Sequence, residues 1–520
     1  MADTVELNTP PMNSAVLGAQ ENILQNATIR AGRKALIANR DTYFVRLDTQ
    51  SDEQFKAMVQ MAPMYVLYPK VVDGFSGTVF AKAPVMKEVE FTEKQKTYNK
   101  NCDMLGNSID KFSEKVINTV FEDGFCASLN DYSDTAKRPF LRFIAPHQFI
   151  SFRTSSIDGF PVITQFIYVE EVEIDNPDNE FDTEVRNRYI VLDIKDEKYR
   201  VRKYVTTSVK PLVKVDITEK MTQEGKDIYP MMDGKNFKTL PVVIHGINQN
   251  NFSINKSPLQ DISDMNISVI QRVIDQTYML HWTALPTPWV TGVDENDAPA
   301  TIGPSKFIHI SNPEAKLGML EFSGNSARAH QDFVDNLKDI MASMGAQILK
   351  KEGVSRETAT SVLVRTAAQT SLISTLVNNV SGQLENLLRV HFTWGGNTVS
   401  EKFSYKLNDD FIKVDMEPNA QIALVKSWLD GAVSHKTMFD KMKEGEIIDT
   451  NRTFEEEMEL IGKNPPPYFE KVIDLANAIK LHQKTGGNEE GGTGGPGDGK
   501  GDGTKGSDLD NGNVNNKQTD

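Results

Sequence analysis

The chain has 520 residues, room for about two to four domains, and a net charge of −15. That balance excludes a protein that grips nucleic acid through a basic face, though not one past which nucleic acid slides without sticking. An apolar share of 39% and a charged share of 25% are those of an ordinary globular chain, and two cysteines, Cys102 and Cys126, are too few for a disulfide scaffold. They are expected to be idle thiols, as in a protein assembled inside a cell. The start, Met1-Ala2-Asp3-Thr4, lacks the basic and apolar regions of a signal peptide, and no run of about 18 apolar residues predicts a membrane span.

In chain order, Met12 to Arg40 predicts a broken helix. Phe55 to Phe80 carries a methionine and aromatic stripe at helical spacing, expected in the core. Phe91 opens a charged amphipathic helix running to about Asp123. Its apolar face is Met104, Leu105, Ile109, Phe112, Val116, Ile117 and Val120, and Gly124 stops it. From Phe125 to about Val243 the pattern turns to strands: Leu141–Phe152, Val162–Glu170, Tyr189–Ile194 and Tyr199–Val205. Asp158-Gly159, Asn176-Pro177-Asp178 and Lys195-Asp196-Glu197 mark turns. An antiparallel sheet with one solvated face is the expectation.

The stretch from Ser257 to Gly353 organises the rest. Ser257-Pro258-Leu259-Gln260 reads as a capping box with Pro at the first helical position. Leu259, Ile262, Met265, Val269, Val273 and Leu280 then form one apolar face, and Ile267, Ile270, Ile274 and Tyr278 another, so this helix is expected to pack on two sides. It stops before Leu285-Pro286-Thr287-Pro288. A second long helix starts near Ser326, carries Phe333, Leu337, Ile340, Met341, Met344 and Ile348, and ends at Gly353 behind Lys350 and Lys351. Between them lies a Pro-rich tip with β-like runs at Trp289-Val290-Thr291 and Phe307-Ile308-His309-Ile310. Such a helical excursion suggests a symmetric assembly.

Ser355 can cap a third helix, running to Trp394, with one apolar stripe and many hydroxyls from Thr358 to Ser381. Lys402 to Val414 reads as strands, Pro418 to Leu460 as two or three helical pieces, and Tyr468 to Leu481 as a short helix. Beyond Lys484 the Gly, Asp and Asn-rich tail holds almost nothing apolar and is expected to be disordered.

Catalytic and metal patterns are missing from the sequence. The eight histidines are scattered, with no pair at metal-ligand spacing. No nucleophile elbow occurs. Gly494 to Lys500 resembles a phosphate loop only by chance composition, because no strand precedes it. Glu455-Glu456-Glu457 is a solvated helix face, and Asp294-Glu295-Asn296-Asp297 lacks the glycine and distal glutamate of a calcium loop. No cofactor, metal or catalytic residue is therefore expected. Lys350, Lys351 and Arg356 form a basic cluster whose simplest role is helix capping.

Several stretches, in order, resemble the portal proteins of tailed bacteriophages. They are Val71-Val72-Asp73-Gly74-Phe75-Ser76-Gly77-Thr78-Val79-Phe80, Leu240-Pro241-Val242-Val243, Pro258-Leu259 through Asp264-Met265-Asn266, Leu285-Pro286-Thr287-Pro288, Glu357-Thr358-Ala359-Thr360, and Ser427-Trp428-Leu429-Asp430-Gly431. The similarity covers roughly residues 60 to 462. It implies an α+β portal fold assembled as a twelve-subunit ring at a capsid vertex of the virion, built in the host cytoplasm. By resemblance, 1–256 is a wing, 257–283 and 324–349 the stem helices, and 284–323 the clip. The resemblance further makes 350–416 the tunnel loop, long helix and returning strands, 417–483 the crown, and 484–520 the tail. It implies that Lys350, Lys351 and Arg356 face double-stranded DNA passing without sequence specificity. Trp289, Asp294, Glu295 and Lys306 then meet head-completion or tail adaptor proteins. Terminase and the major capsid protein are the other implied partners, and no enzymatic activity or membrane is. The competing expectations are another phage capsid or tail structural protein, and an α+β enzyme with an unrecognised site.

Overall fold

The computed structural model describes residues 7–463 apart from 47, 49, 158, 177–178, 207–219, 249–251, 253, 284–286, 294–311, 321–324, 342–358, 410, 412–417, 446 and 449–451. Helices and antiparallel strands segregate along the chain, so the fold class is α+β. The chain divides after Ile412 into two compact units.

The first unit opens with β1 (Leu7–Asn8) and the broken helix: α1 (Ser14–Ala31), α2 (Arg33–Ala38) and α3 (Arg40–Tyr43). The break is at Gly32, at φ 80°. Next come α4 (Asp52–Met61), capped by a Ser51/Gln54 capping box, α5 (Tyr68–Val79) and β2 (Val85–Val89). The single helix expected from Phe91 to Asp123 is two, α6 (Glu93–Asn99) and α7 (Ile109–Asp123). Met104 and Gly106 adopt positive φ between them, and the Asp103 carboxylate accepts from the amides of Leu105 and Asn107. That local turn competes successfully with helix propagation, and it leaves Met104 and Leu105 exposed rather than on the apolar face.

The strands are β3 (Phe125–Ser133), β4 (Arg138–Ile144), β5 (Phe149–Ile157), β6 (Phe160–Asn176), β7 (Asn179–Lys195), β8 (Lys198–Thr206), β9 (Lys220–Gln223), β10 (Met231–Met232), β11 (Lys235–Asn236) and β12 (Val242–Gly246). The expected strand Leu141–Phe152 is cut by a 3₁₀ turn at Pro146–Gln148, which sends its halves into different sheets. One sheet has the order β1-β9-β8-β7-β6-β5, the other β12-β3-β4. The β7–β8 turn is Asp196-Glu197, both at positive φ, and the Lys195↔Lys198 pair closes it.

The sheet is not solvated on one face. Phe166, Tyr168, Ile190 and Leu192 point toward Phe125, Leu129, Ile144, Val242 and Ile244 of the second sheet and Val16 and Ile23 of α1. The alternate residues Ile167, Val169, Tyr189 and Val191 form a second cluster with Tyr204, Met221 and Ile150. Strands this long carry apolar residues in both phases, a pattern that strict alternation does not anticipate.

The long helices follow: α8 (Gln260–Thr283), β13 (Thr287–Thr291), β14 (Lys316–Leu320), α9 (Asn325–Met341), α10 (Ala359–Trp394) and β15 (Val399–Lys406), which pairs with β2. At 36 residues α10 is about 54 Å long. Its C-terminal half buries Leu376, Val377, Val380, Leu384, Leu387 and Phe392 in a helical core with α4, α5, α7 and α8. Ser381, expected on a smooth hydroxylated side, is 4% exposed; its hydroxyl donates to the Val377 carbonyl and accepts from the Leu407 amide.

The second unit, described by itself, holds α11 (Pro418–Leu429), α12 (His435–Glu444) and α13 (Phe454–Lys463). His435 stacks on Trp428 at 4.7 Å and meets the edge of Phe454, which also packs on Phe439. The expected helix Tyr468–Leu481 and the tail lie outside the described residues.

Gly124 ends α7 at φ 88°, and a Cβ there would sit 2.8 Å from the Lys256 carbonyl carbon and the Ser257 nitrogen. Gly124→Ala therefore combines left-handed strain with a backbone collision. It is expected to cost about 2–4 kcal/mol, read as a lower urea midpoint at unchanged slope. Gly225→Ala, at φ 73° with open space, serves as the strain-only comparison and is expected to lose about 1 kcal/mol.

Candidate functional site

The candidate feature is the hairpin of α8 and α9, with the β13–β14 ribbon between them. Helix α8 is apolar on two faces, and both are used within the one chain. Ile270 and Ile274 enter the helical core, joined by Ile267 and Tyr278, while Val269 and Val273 meet Val334 of α9, flanked by Met265 and Leu337. The two-sided pattern is thus satisfied without a second subunit. Gln276 donates to Gln331 across the seam at 2.6 Å, and the Lys338 ammonium lies 4.6 Å above the Tyr65 ring.

The root of α8 differs from its expected capping box. The Ser257 hydroxyl accepts from the Leu259 amide at 3.0 Å and donates to the Phe121 carbonyl at 2.7 Å. Gln260 does not reach back to Ser257. Its amide donates to Asp264, and its carbonyl accepts from Asn26 of α1 at 3.2 Å. Asn26, fully buried, also donates to the Glu122 carbonyl and to Asp123, and accepts from the Ser263 hydroxyl at 2.6 Å. One turn on, the Asn266 carbonyl accepts from the amides of Leu67 and Tyr68, while its amide donates to the Tyr65 carbonyl. The helix is therefore pinned to α1, α5 and α7 by buried hydrogen bonds. The capping box failed because tertiary partners outbid the local one. Only Gln260, Ser263 and Asn266 on one face hinted at this.

Two carboxylates close the root. Glu122 pairs with Arg30 at 2.6 Å, and Arg30 also reaches Asp73. Burial, offset by Arg30, leaves the Glu122 carboxyl above its usual range. Burial and then the neighbouring Glu122 push Asp123 up to about 7.

At the tip, Trp289 faces Gly318 across the ribbon, and a Cβ on Gly318 would lie 2.6 Å from the indole. Trp289 is 44% exposed; Leu317, Met319, Leu280, Phe333 and Ile340 are exposed as well. Phe333, Ile340 and Leu280 were expected to pack. Leu337 and Met341 do. Of the expected tip contacts only Trp289 is described. Asp294, Glu295 and Lys306 lie outside the described residues, as do Lys350, Lys351, Arg356, Gly353, Met344, Ile348 and the Phe307–Ile310 run. Trp289-Val290-Thr291 is in β13, but its partner β14 went unrecognised, because Lys316–Leu320 contains a mid-strand glycine.

His245 Nε2 lies 2.8 Å from the Ser128 hydroxyl, yet both are fully buried between β12 and β3, where no substrate reaches them. Cys102 and Cys126 are buried free thiols. Among the described residues no group of three or more His, Cys, Asp or Glu is placed to hold a metal ion, and no helix is long and apolar enough to cross a membrane.

Residues 258–395 match the family model of a domain of unknown function, DUF4055. That span opens at the α8 root and closes at the end of α10, so it holds the whole hairpin. No curated protein sequence matches the chain. Among solved structures, one similar chain comes from the neck of an empty gene transfer agent particle computed with C6 symmetry. It has a TM-score of 0.36 and 10% identity over 71% of this chain and 87% of that one. Another comes from the virion of a native gene transfer agent particle, with a TM-score of 0.36 and 9% identity over 78% of this chain and 97% of that one.

The root predicts a pH signature. Asp123 binds its proton more tightly when folded, so its stabilising share is fully present below the usual aspartate value of 3.8 and lost as pH rises through about 7. Asp123→Asn keeps an acceptor for Asn26. It is expected to match wild-type stability near pH 4 and exceed it by about 1–3 kcal/mol at pH 8, measured by chemical denaturation.

Proposed function

We propose that this chain is the subunit of a phage-type portal, a ring at a capsid vertex through which double-stranded DNA is packaged and ejected. The observation that supports it most is the α8–β13/β14–α9 excursion. It is a helical hairpin rooted in the body by buried polar bonds, carrying a ribbon at its far end and apolar side chains on its outer surface. Leu280, Phe333 and Ile340 on the helices and Trp289, Leu317 and Met319 on the ribbon give a surface that neighbouring copies and a docked partner would cover. In this reading α8 and α9 are the stem and residues 284–323 the clip, residues 1–256 the wing, and residues 417–483 the crown. The clip, with Trp289, Asp294, Glu295 and Lys306, docks head-completion or tail adaptor proteins. A packaging ATPase is a separate terminase that docks on the ring.

The physics of the channel agrees with the charge. A ring of twelve chains, each at −15, releases few counterions when DNA enters, so the duplex moves without being trapped. In this reading the basic positions Lys350, Lys351 and Arg356, between α9 and α10 in the chain, contact the passing backbone.

Negative-stain imaging with light scattering is the direct test. Rings of about twelve copies with a central hole are expected. A compact dimer or tetramer without a hole would overturn the portal reading and favour a different structural protein or an enzyme. In assembled particles, changing Lys350, Lys351 and Arg356 together to Ala is expected to leave rings intact and reduce genome packaging or retention. Normal packaging and retention in that variant would remove the role of this loop.

A further inference from the structure

Strand β4 carries two arginines four residues apart, and they have been treated differently. Arg142 sits beside a cleft of about 900 Å³ between the two sheets, and its charge is answered twice, by Glu170 at 3.1 Å and Asp131 at 3.3 Å. Arg138 is more deeply buried, at 8% exposure, yet among the described residues no carboxylate pairs with it. One guanidinium nitrogen donates to the Asn101 carbonyl at 2.9 Å, and the group lies 4.8 Å from the centre of the Tyr98 ring. A buried cation held by a carbonyl and an aromatic face, without a counter-charge, is costly unless something else supplies the negative charge.

The surroundings of Arg138 show where that charge belongs. A small pocket of about 100 Å³ opens beside it, lined among others by Lys94, Tyr98, Tyr132, Lys137, Arg138 and Trp394. Three cations line it and, among the described residues, no carboxylate does. Lys94 approaches the Tyr98 ring that Arg138 also covers, at 5.7 Å. Lys137 is fixed in the left-handed region at φ 51° by the β3–β4 turn. The far wall is the stacked pair Tyr132 and Trp394, 5.7 Å apart, with the indole nitrogen tied to the Met231 carbonyl. His391, close enough to feel Arg138, is held neutral at ordinary pH, because burial lowers it to about 4. The pocket is small and open to solvent on one side, with room for a tetrahedral oxyanion. Two or three positive charges, one of them a planar fork, suit a phosphate dianion better than a lone carboxylate.

We propose that this pocket is a phosphate-binding site, with Arg138 as the buried anchor, Lys94 and Lys137 as the outer clamp, and the Tyr132–Trp394 stack as its wall. The phosphate comes either free from solution or as one backbone group of a nucleic-acid strand. The site lies where α6, the β3–β4 turn and the end of α10 meet, and it does not depend on the portal reading.

The test is titration of the full chain with inorganic phosphate, and separately with a short single-stranded oligothymidylate, at constant ionic strength. Binding is followed by calorimetry and by quenching of indole fluorescence. Saturable binding of inorganic phosphate at millimolar concentrations is expected. The double variant Lys94→Gln with Lys137→Gln alters only exposed side chains, so it is expected to fold normally and to weaken binding by about tenfold or more. Arg138→Gln is expected to abolish binding; its circular dichroism spectrum reports whether the fold survives. Binding of the oligonucleotide alone, lost in the lysine variant, would assign the phosphate to a nucleic-acid strand. No saturable binding of either probe, or equal binding by wild type and the lysine variant, would overturn the proposal.

Discussion

The structure depends on the burial of polar groups at the point where α8 leaves the body. An amide or hydroxyl taken out of water without a partner costs more than a formed bond returns, so the partners at such a point must be placed together. Asn26 satisfies Gln260, Ser263, Asp123 and the Glu122 carbonyl at once. Ser257 joins the end of α7 to the start of α8 through the Phe121 carbonyl. Gly124 lets the chain pass close enough for that contact. Moving any one of these leaves several others unpaired, and this coupling fixes the direction in which the long helix sets off.

Around that joint the apolar clusters divide the work. The helical core gathers α4, α5, α7, α8 and α10, and the two-sheet core gathers β3, β4, β6, β7 and β12 with α1. Helix α10 belongs to the first through its aliphatic stripe. It is also tied to the second sheet region, since Asn130 donates to the Leu387 carbonyl and Gln383 bridges the backbone at Gly246. The long helix therefore acts as a beam along both cores. That placement explains why its C-terminal half is apolar on one stripe and selectively polar beside it.

The elements legible in the sequence were those whose signals are local. The broken first helix, the stop at Gly124, the Asp196-Glu197 turn and the double face of α8 all follow from nearby residues. Features fixed by distant partners were not legible. Gln260 left its capping role for Asn26, which lies 234 positions away. The Asp103 turn split a helix whose periodicity ran straight through it. The long strands buried both faces because a second sheet and a separate apolar cluster took up opposite sides. At the hairpin tip, Trp289 was legible as a strand residue, but its partner was hidden because Gly318 must be small to lie under the indole. Arg138 showed no pattern at all in one dimension. Its interest lies in the lack, among the described residues, of a carboxylate paired with it.

The two helices of the hairpin are held in unlike ways. The start of α8 is clamped by directional hydrogen bonds that tolerate little displacement. The seam with α9 is chiefly Val269, Val273 and Val334 with Met265 and Leu337, a non-directional apolar contact crossed by the Gln276–Gln331 hydrogen bond. Among the described residues, a push or pull applied at the ribbon therefore meets its directional resistance at the root of α8, where Asn26 and Ser257 hold the helix to α1 and α7.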